Sequence, residues 1–251
     1  SATMFPMLYY RELLTTDRDA YGIYVQSPFP KENRRILIGS DVSSRYTRRN
    51  RAEYRKIAGY IARCVWQRQG NYMVFFPSYR LMEDVLQVYE EEFSVDWVRC
   101  VCQTPDMTEQ EREGFLEEFQ EREGTLVGFC VLGGIFSEGV DLTGESLIGA
   151  VIVGTGLPQI GSQREILKEY YDKKNHCGFD YAYRYPGMNK VLQAAGRVIR
   201  TKEDKGVILL LDDRFWDRDY QEIFPREWQD RTGCRLDTVE GAVETFWKRF
   251  T

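Results

Sequence analysis

The sequence predicts an α/β fold: a parallel sheet with helices on both of its faces. Two observations carry this. Runs of four to eight residues rich in β-branched and aromatic side chains recur along the chain, almost without internal charges, as strands buried on both faces require. Between them lie longer stretches whose apolar residues return every three or four positions, the period of an amphipathic helix. At 251 residues, 43% hydrophobic and 29% charged, the chain is long enough to bury such a sheet completely.

In chain order, strands are expected at 22–26 (GIYVQ), 35–39 (RILIG), 72–76 (YMVFF), 95–102 (VDWVRCVC), 126–132 (LVGFCVL), 147–154 (LIGAVIVG) and 206–212 (GVILLLD). Helices are expected over 50–69, over 79–92, where Met82, Val85, Leu86 and Tyr89 share a face, and over 108–121, which opens with Thr108 and Glu111 in capping-box spacing. The connection 157–190 should hold a helix at 162–175 and then an aromatic stretch. Tyr170, Tyr171, Phe179, Tyr181, Tyr183 and Tyr185 there are better suited to anchoring the connection than to stacking on bases.

Composition narrows the function classes. No run of eighteen apolar residues appears and the first residues lack a basic-then-apolar leader, so no membrane partner and an intracellular location are expected. The six cysteines show no C-x-x-C and His176 is the only histidine, which leaves no zinc ligand set; Cys100 and Cys102, two apart in a strand, are expected in the core. The net charge of −5 argues against a uniformly basic coat for nucleic acid. Its distribution is uneven: 31–56 holds nine basic residues against three acidic ones, and 83–123 holds fourteen acidic against three basic. A phosphate-facing side and a solvated side is one explanation.

The most informative segment is 193–200, QAAGRVIR. On a helix, Gln193, Gly196, Arg197 and Arg200 fall on one face, while Val191, Leu192, Ala195, Val198 and Ile199 face the sheet. Two guanidinium forks with no side chain between them suit a phosphate or carboxylate. The favourable placement of cations at a helix C-terminus accounts for Arg200 without any ligand, but not for Gln193 or the glycine.

Together with D-x-G-x-x-x-L-L-D-x-R-F over 204–215, this octet resembles motif VI of the XPD/DinG (Rad3-like) branch of superfamily 2 helicases. GGIFSEGVDLTG (133–144) and GLP (156–158) resemble the branch's motif V region, and YMVFFPSYRLMEDV (72–85) resembles motif IV. SPFP (27–30) and SRYTRR (44–49) fit the same order, and SATMFPM (1–7) resembles motif III, which closes the first motor domain of that family.

The resemblance implies a RecA-like second motor domain over 15–251, preceded by the end of the first motor domain and a connector over 1–14. The chain contains no G-x-x-x-x-G-K-[ST] and no Asp-Glu-Ala-His box, so this is a P-loop NTPase-type fold without its own P-loop. It implies ATP and Mg²⁺ bound mainly by the first motor domain, where the family's iron–sulfur cysteines also lie. Arg197 and Arg200 would be arginine fingers, and Gln193 would orient them or the attacking water. Glu138, Gly139, Asp141 and Gly196 would lie beside the nucleotide. Ser78 and Tyr79, with Arg48 and Arg49, would contact single-stranded DNA. The expected partners are therefore single-stranded DNA, ATP and the first motor domain, in an ATP-dependent DNA helicase of repair type; this half alone would not hydrolyse ATP. Two rivals are a non-catalytic DNA- or protein-binding platform and a translocase half coupled to a fused nuclease.

Overall fold

The computed structural model describes residues 4–17, 19–120, 124–136 and 147–251. Its centre is a sheet of seven strands: β1 Arg34–Gly39, β2 Asn71–Phe76, β3 Val98–Cys102, β4 Thr125–Val131, β5 Gly149–Val153, β6 Gly206–Leu211 and β7 Thr232–Cys234. The order across the sheet is β3-β4-β2-β5-β6-β1-β7 and every pairing is parallel. Parallel neighbours require crossovers, and the helices provide them. These are α1 Met7–Leu14, α2 Arg51–Val65, α3 Tyr79–Glu92, α4 Glu109–Glu117, α5 Ser162–Asn175, α6 Tyr185–Ala195, α7 Arg218–Gln221 and α8 Val239–Trp247.

Strand residues alternate between two cores, as the pleat dictates. Leu37, Val74, Phe76, Val127, Phe129, Val151 and Leu209 pack with α2, α3 and α8 on one face. Ile36, Met73, Phe75, Ala150, Ile152 and Leu210 pack with Phe115 of α4, Met188 and Val191 of α6, and Phe215, Phe224 and Trp228 on the other. Six of the seven expected strands are present. The seventh, 22–26, forms no strand: Tyr24 is held by Glu227, whose carboxylate accepts its hydroxyl at 2.6 Å, while Tyr21, Ile23 and Val25 point outward, 76–85% exposed. β7 takes a place in the sheet instead.

The capping box of Thr108 and Glu111 forms as expected, and α3 and α5 match their predicted bounds. The aromatic connection folds as an anchor. Tyr171, Tyr181 and Tyr9 of α1 form a third apolar cluster, Tyr171 stacking on Tyr181 at 3.9 Å, and the Tyr181 hydroxyl donates to Glu12 at 2.7 Å. Residues 180–184 form a single π-helical turn that runs directly into α6. Among the described residues, no helix is long and apolar enough to cross a membrane.

Candidate functional site

The expected site residues divide between the two ends of the strands. α6 runs antiparallel to the sheet. Its first turn packs at the carboxyl end, where Gly187 approaches Thr155 and Gly156 after β5, and its exit packs at the amino end, where Val198 sits against Gly206 at the start of β6. Gln193, Gly196, Arg197 and Arg200 therefore lie toward the amino end. Ser78, Tyr79, Arg48 and Arg49 lie at the carboxyl end, because they follow β2 and β1 directly. With strands of six residues rising about 3.3 Å each, the ends are about 20 Å apart.

At the amino end, the helix expected through 200 stops at Ala195. Its exit tightens into three-residue turns, with Arg197 N donating to Ala194 O and Val198 N to Ala195 O, both at 3.3 Å. The Asp204 carboxylate then accepts from Arg200 N at 2.7 Å and Thr201 N at 2.6 Å, fixing the turn that leads into β6. This change of pitch corrects the helical projection. Arg197 does not share an open face with Arg200: it is 6% exposed, whereas Arg200 and Gly196 are exposed and Gln193 is half-buried.

Gly196 sits in an ordinary right-handed helical conformation, and a Cβ there would meet only the preceding turn, at 3.2 Å from Leu192 O. The fold does not demand glycine at this position. Gly196→Ala is expected to change stability by less than about 1 kcal/mol in denaturant titration, while impairing any function that needs a close approach to this face. A loss of several kcal/mol would make the glycine structural.

At the carboxyl end, Asp212 follows β6 and is fully buried. Its Oδ2 accepts from Ser44 N at 2.9 Å and Ser44 Oγ at 2.6 Å, and its Oδ1 accepts from Arg214 Nε at 2.7 Å. Burial alone would raise the carboxyl pKa, but the Arg214 guanidinium and the two Ser44 donors more than reverse it and hold the group below the usual carboxylate range. The neighbouring Asp213 accepts from Ser43 Oγ at 3.1 Å, and Glu53, almost fully buried, accepts from Ser43 N at 2.6 Å. These carboxylates seat the 44–49 loop at the end of the sheet.

On that loop Arg48 is exposed and pairs with Glu53 at 3.6 Å; Arg49 donates to Ser44 O and lies 5.6 Å from the Tyr46 ring. Tyr46 is 82% exposed. It is the aromatic that sequence reasoning passed over, although it stands inside the basic run. Ser78 caps α3, accepting from Leu81 N at 3.4 Å. The Tyr79 ring packs on the core beneath, its hydroxyl accepts from Gln103 Nε2 at 2.9 Å, and burial raises its pKa. Both residues lie at the expected end of the sheet with part of their bonding capacity used by the fold. Gly154, after β5, brings the two loops together: a Cβ there would meet Ser44 Oγ at 2.6 Å and Pro77 Cγ at 3.6 Å.

The charge segregation read from the sequence needs correcting. β1 splits the basic segment, leaving Lys31, Arg34 and Arg35 at the amino end and Arg45, Arg48 and Arg49 at the carboxyl end. Arg51 and Arg55 pair with Glu91 and Glu92 of α3, so basic and acidic runs meet on one face instead of occupying two. Cys102 is exposed and Cys100 half-buried, because β3 is an edge strand. Burial pushes the Cys64 and Cys234 thiols up to about 12 and Cys100 to about 11, which keeps them protonated at neutral pH. Glu138, Gly139 and Asp141 lie outside the described residues.

Comparison with known proteins adds the context for this geometry. A family model described as helicase C-terminal domain matches residues 61–231. A probable ATP-dependent helicase of Methanocaldococcus jannaschii is 29% identical over 206 residues, covering 78% of this chain and 31% of that protein. The ATP-dependent DNA helicase XPD of Sulfolobus acidocaldarius is 28% identical over 229 residues, covering 86% and 38%. The chain thus spans about a third of the length of these relatives. Among solved structures, an XPD helicase superposes with a TM-score of 0.63 at 24% identity, covering 80% of this chain and 35% of the other, and the Xpd4 structure of S. tokodaii superposes with 0.60 at 17%, covering 88% and 42%. At these identities the structural likeness speaks for the fold, a RecA-like sheet flanked by helices.

Proposed function

From a chain that belongs to the helicase C-terminal domain family, in its XPD/Rad3-like branch, we propose the second motor half of an ATP-dependent DNA helicase. The observation that carries the reading is the division of the site. One end of the sheet presents Arg200 and Gly196 to solvent, with Gln193 half-buried; the other presents the 44–49 loop beside the Pro77-Ser78 turn.

In this reading the amino end faces a nucleotide held by the first motor domain. The residues present fit the outer phosphate: an exposed permanent cation and, four positions before it, an exposed backbone without a Cβ. They do not form a phosphate cradle, which the other motor domain would provide together with Mg²⁺. ATP supplies the phosphoryl bond whose cleavage drives the motor. Arg200 would stabilise charge on the outer phosphate, Gln193 would orient it, and the buried Arg197 would hold the turn from which both project. Glu138, Gly139 and Asp141 would relay between the two ends. Residues 1–14 would end the first motor domain and connect it, with α1 docked by Tyr9 against Tyr181 and Tyr185 at 5.2 and 5.1 Å. A non-catalytic platform would have no use for an exposed Arg200 and a glycine that the backbone conformation at 196 does not require.

The carboxyl end would carry part of the single-stranded DNA track through Arg48, Arg49, Ser78, Tyr79 and Tyr46. Anisotropy of a labelled oligonucleotide with this chain, at two salt concentrations, tests the division. Arg48→Glu with Arg49→Glu is expected to weaken binding to all sequences and to flatten the salt dependence by about 0.7 for each phosphate no longer neutralised. Arg200→Ala should leave binding as in the parent. If the amino-end change weakened binding as much as the carboxyl-end pair, DNA would not follow the proposed end of the sheet.

A further inference from the structure

At the amino end of the sheet a cavity of about 230 Å³ is walled by Lys31 and Glu32 of the turn before β1, Arg34 and Arg35 of β1, Asp230 before β7 and Arg249 after α8. We propose that this cavity binds a phosphate dianion, inorganic or carried as a monoester, on the Arg34 and Arg35 guanidiniums, with Lys31 and Arg249 closing over it. None of the residues assigned above to the nucleotide or to the single strand lines it, so the inference stands independently of the motor reading.

The two arginines of β1 carry buried donors that the fold leaves unused. The Arg34 side chain is only 8% exposed, and burying a guanidinium is costly unless its charge and its N–H groups are met. Its Nη2 donates to Glu227 O, but its buried Nε has no acceptor, and Asp230, the carboxylate beside it, stands at 3.9 Å, beyond hydrogen-bond reach. The Arg35 Nε is also buried without an acceptor. An oxyanion with several oxygens meets both groups at once, and guanidinium forks suit phosphate in particular. Charge selects the ligand further. Four cations line the cavity against two carboxylates, an excess of two positive charges. A phosphate monoester at neutral pH carries about −1.5 to −2 and matches that excess, whereas a nucleic-acid backbone phosphate carries a single charge.

The walls are held in place before any ligand arrives. Arg34 and Arg35 open a strand paired on both sides, by β6 and β7, and Arg34 stands in register with Gly206. The turn Lys31–Asn33 is tied across to the start of β6, Asn33 Nδ2 donating to Lys202 O at 2.8 Å. The turn Lys248–Phe250, which carries Arg249, is fixed from the same side by Lys205, whose Nζ lies 4.5 Å from the centre of the Phe250 ring. Lys31 and Arg249 are themselves exposed, so their charges can swing onto a bound anion while Arg34 forms a fixed base. The volume lies below the range of about 300–1,000 Å³ typical of whole-ligand cavities, which suits a phosphoryl group and leaves no room for a nucleoside attached to it.

The test is isothermal titration of this chain at constant ionic strength with inorganic phosphate, with glycerol phosphate and, as a monoanionic control, with acetate. Saturable one-to-one binding of at least one of the two phosphates, and none of acetate, is expected; the tighter of the two identifies the source. Arg35→Gln and Arg249→Gln should each weaken binding by about tenfold, the scale of one charge-assisted hydrogen bond. Glu32→Gln, which removes an exposed carboxylate from the wall, should instead tighten it by about twofold or more. That opposite sign keeps the test decisive even where an arginine variant unfolds, which thermal melting of each variant reports. Acetate binding as tightly as phosphate, or phosphate affinity unmoved by Glu32→Gln and Arg249→Gln, would overturn the site. So would a labelled strand of abasic sugar–phosphate units that lost affinity in Arg35→Gln and Arg249→Gln while free phosphate bound neither parent nor variant: the patch would then serve a nucleic-acid backbone instead.

Discussion

Replacing Arg200 with alanine is expected to lower ATP turnover of the intact motor by about 10³-fold or more, the scale at which arginine fingers act, and to leave the thermal unfolding of this chain unchanged. The side chain is exposed, and the bond that fixes the turn comes from its backbone N–H to Asp204; surface truncations of this kind shift stability by less than about 0.5 kcal/mol. Arg197→Ala should behave differently. At 6% exposure it belongs to the packed exit of α6, so turnover and stability should fall together, the latter by about 1–3 kcal/mol. Single-turnover hydrolysis set beside calorimetric unfolding distinguishes the two arginines. An Arg200→Ala enzyme that kept its rate to within about tenfold would remove this residue from the reacting phosphate.

The second large effect is expected at the other end of the sheet. Asp212→Asn leaves the Arg214 guanidinium without its buried counter-charge, a change that costs about 3–5 kcal/mol when one member of a buried pair is removed. The pH dependence follows from the same pair. Because the folded carboxyl titrates below its ordinary value near 4, its contribution is complete above that value and is lost as the pH falls through the lower folded pKa. Urea titrations at pH 7 and near pH 3 should therefore show parent and variant far apart at neutral pH and closer together in acid. A constant gap would mean that the carboxyl does not titrate differently on folding. Since Ser44 loses a charged acceptor in the variant, the 44–49 loop should loosen and single-strand affinity should drop as well.

Much of this architecture was legible because fully buried parallel strands leave uninterrupted apolar runs. β1, β2 and β6 are the clearest cases, and α3 was legible from period alone. β7 left no such trace: Thr232-Gly233-Cys234 is too short to carry a pattern. Residues 22–26 carried a strand pattern that no neighbour in the sheet completes. In the site, the exposure of Arg200 was readable and the burial of Arg197 was not, since the helical projection was carried past Gly196 into turns of tighter pitch. Ser78 was readable as a loop residue, but its hydroxyl is occupied in capping α3. A cavity of about 370 Å³ at the carboxyl end of the sheet was legible only in part, since Pro77 and 156–158 lie in the motifs read from the sequence and Leu132, Arg164 and Lys190 do not. Its walls come from 77, 132, 156–159, 164 and 190, positions that only the crossovers bring together.

The sheet also behaves as a beam. Hydrogen-bonded in parallel throughout and packed on both faces, it resists internal deformation, so a tilt imposed where Arg200 emerges cannot be absorbed along the strands. In the proposed motor it would reappear at the far end as a sideways displacement of the 44–49 loop and the Pro77 turn, in proportion to a lever arm of about 20 Å. Strand length would then fix the stroke, and changes at either end would alter grip or trigger without altering its size.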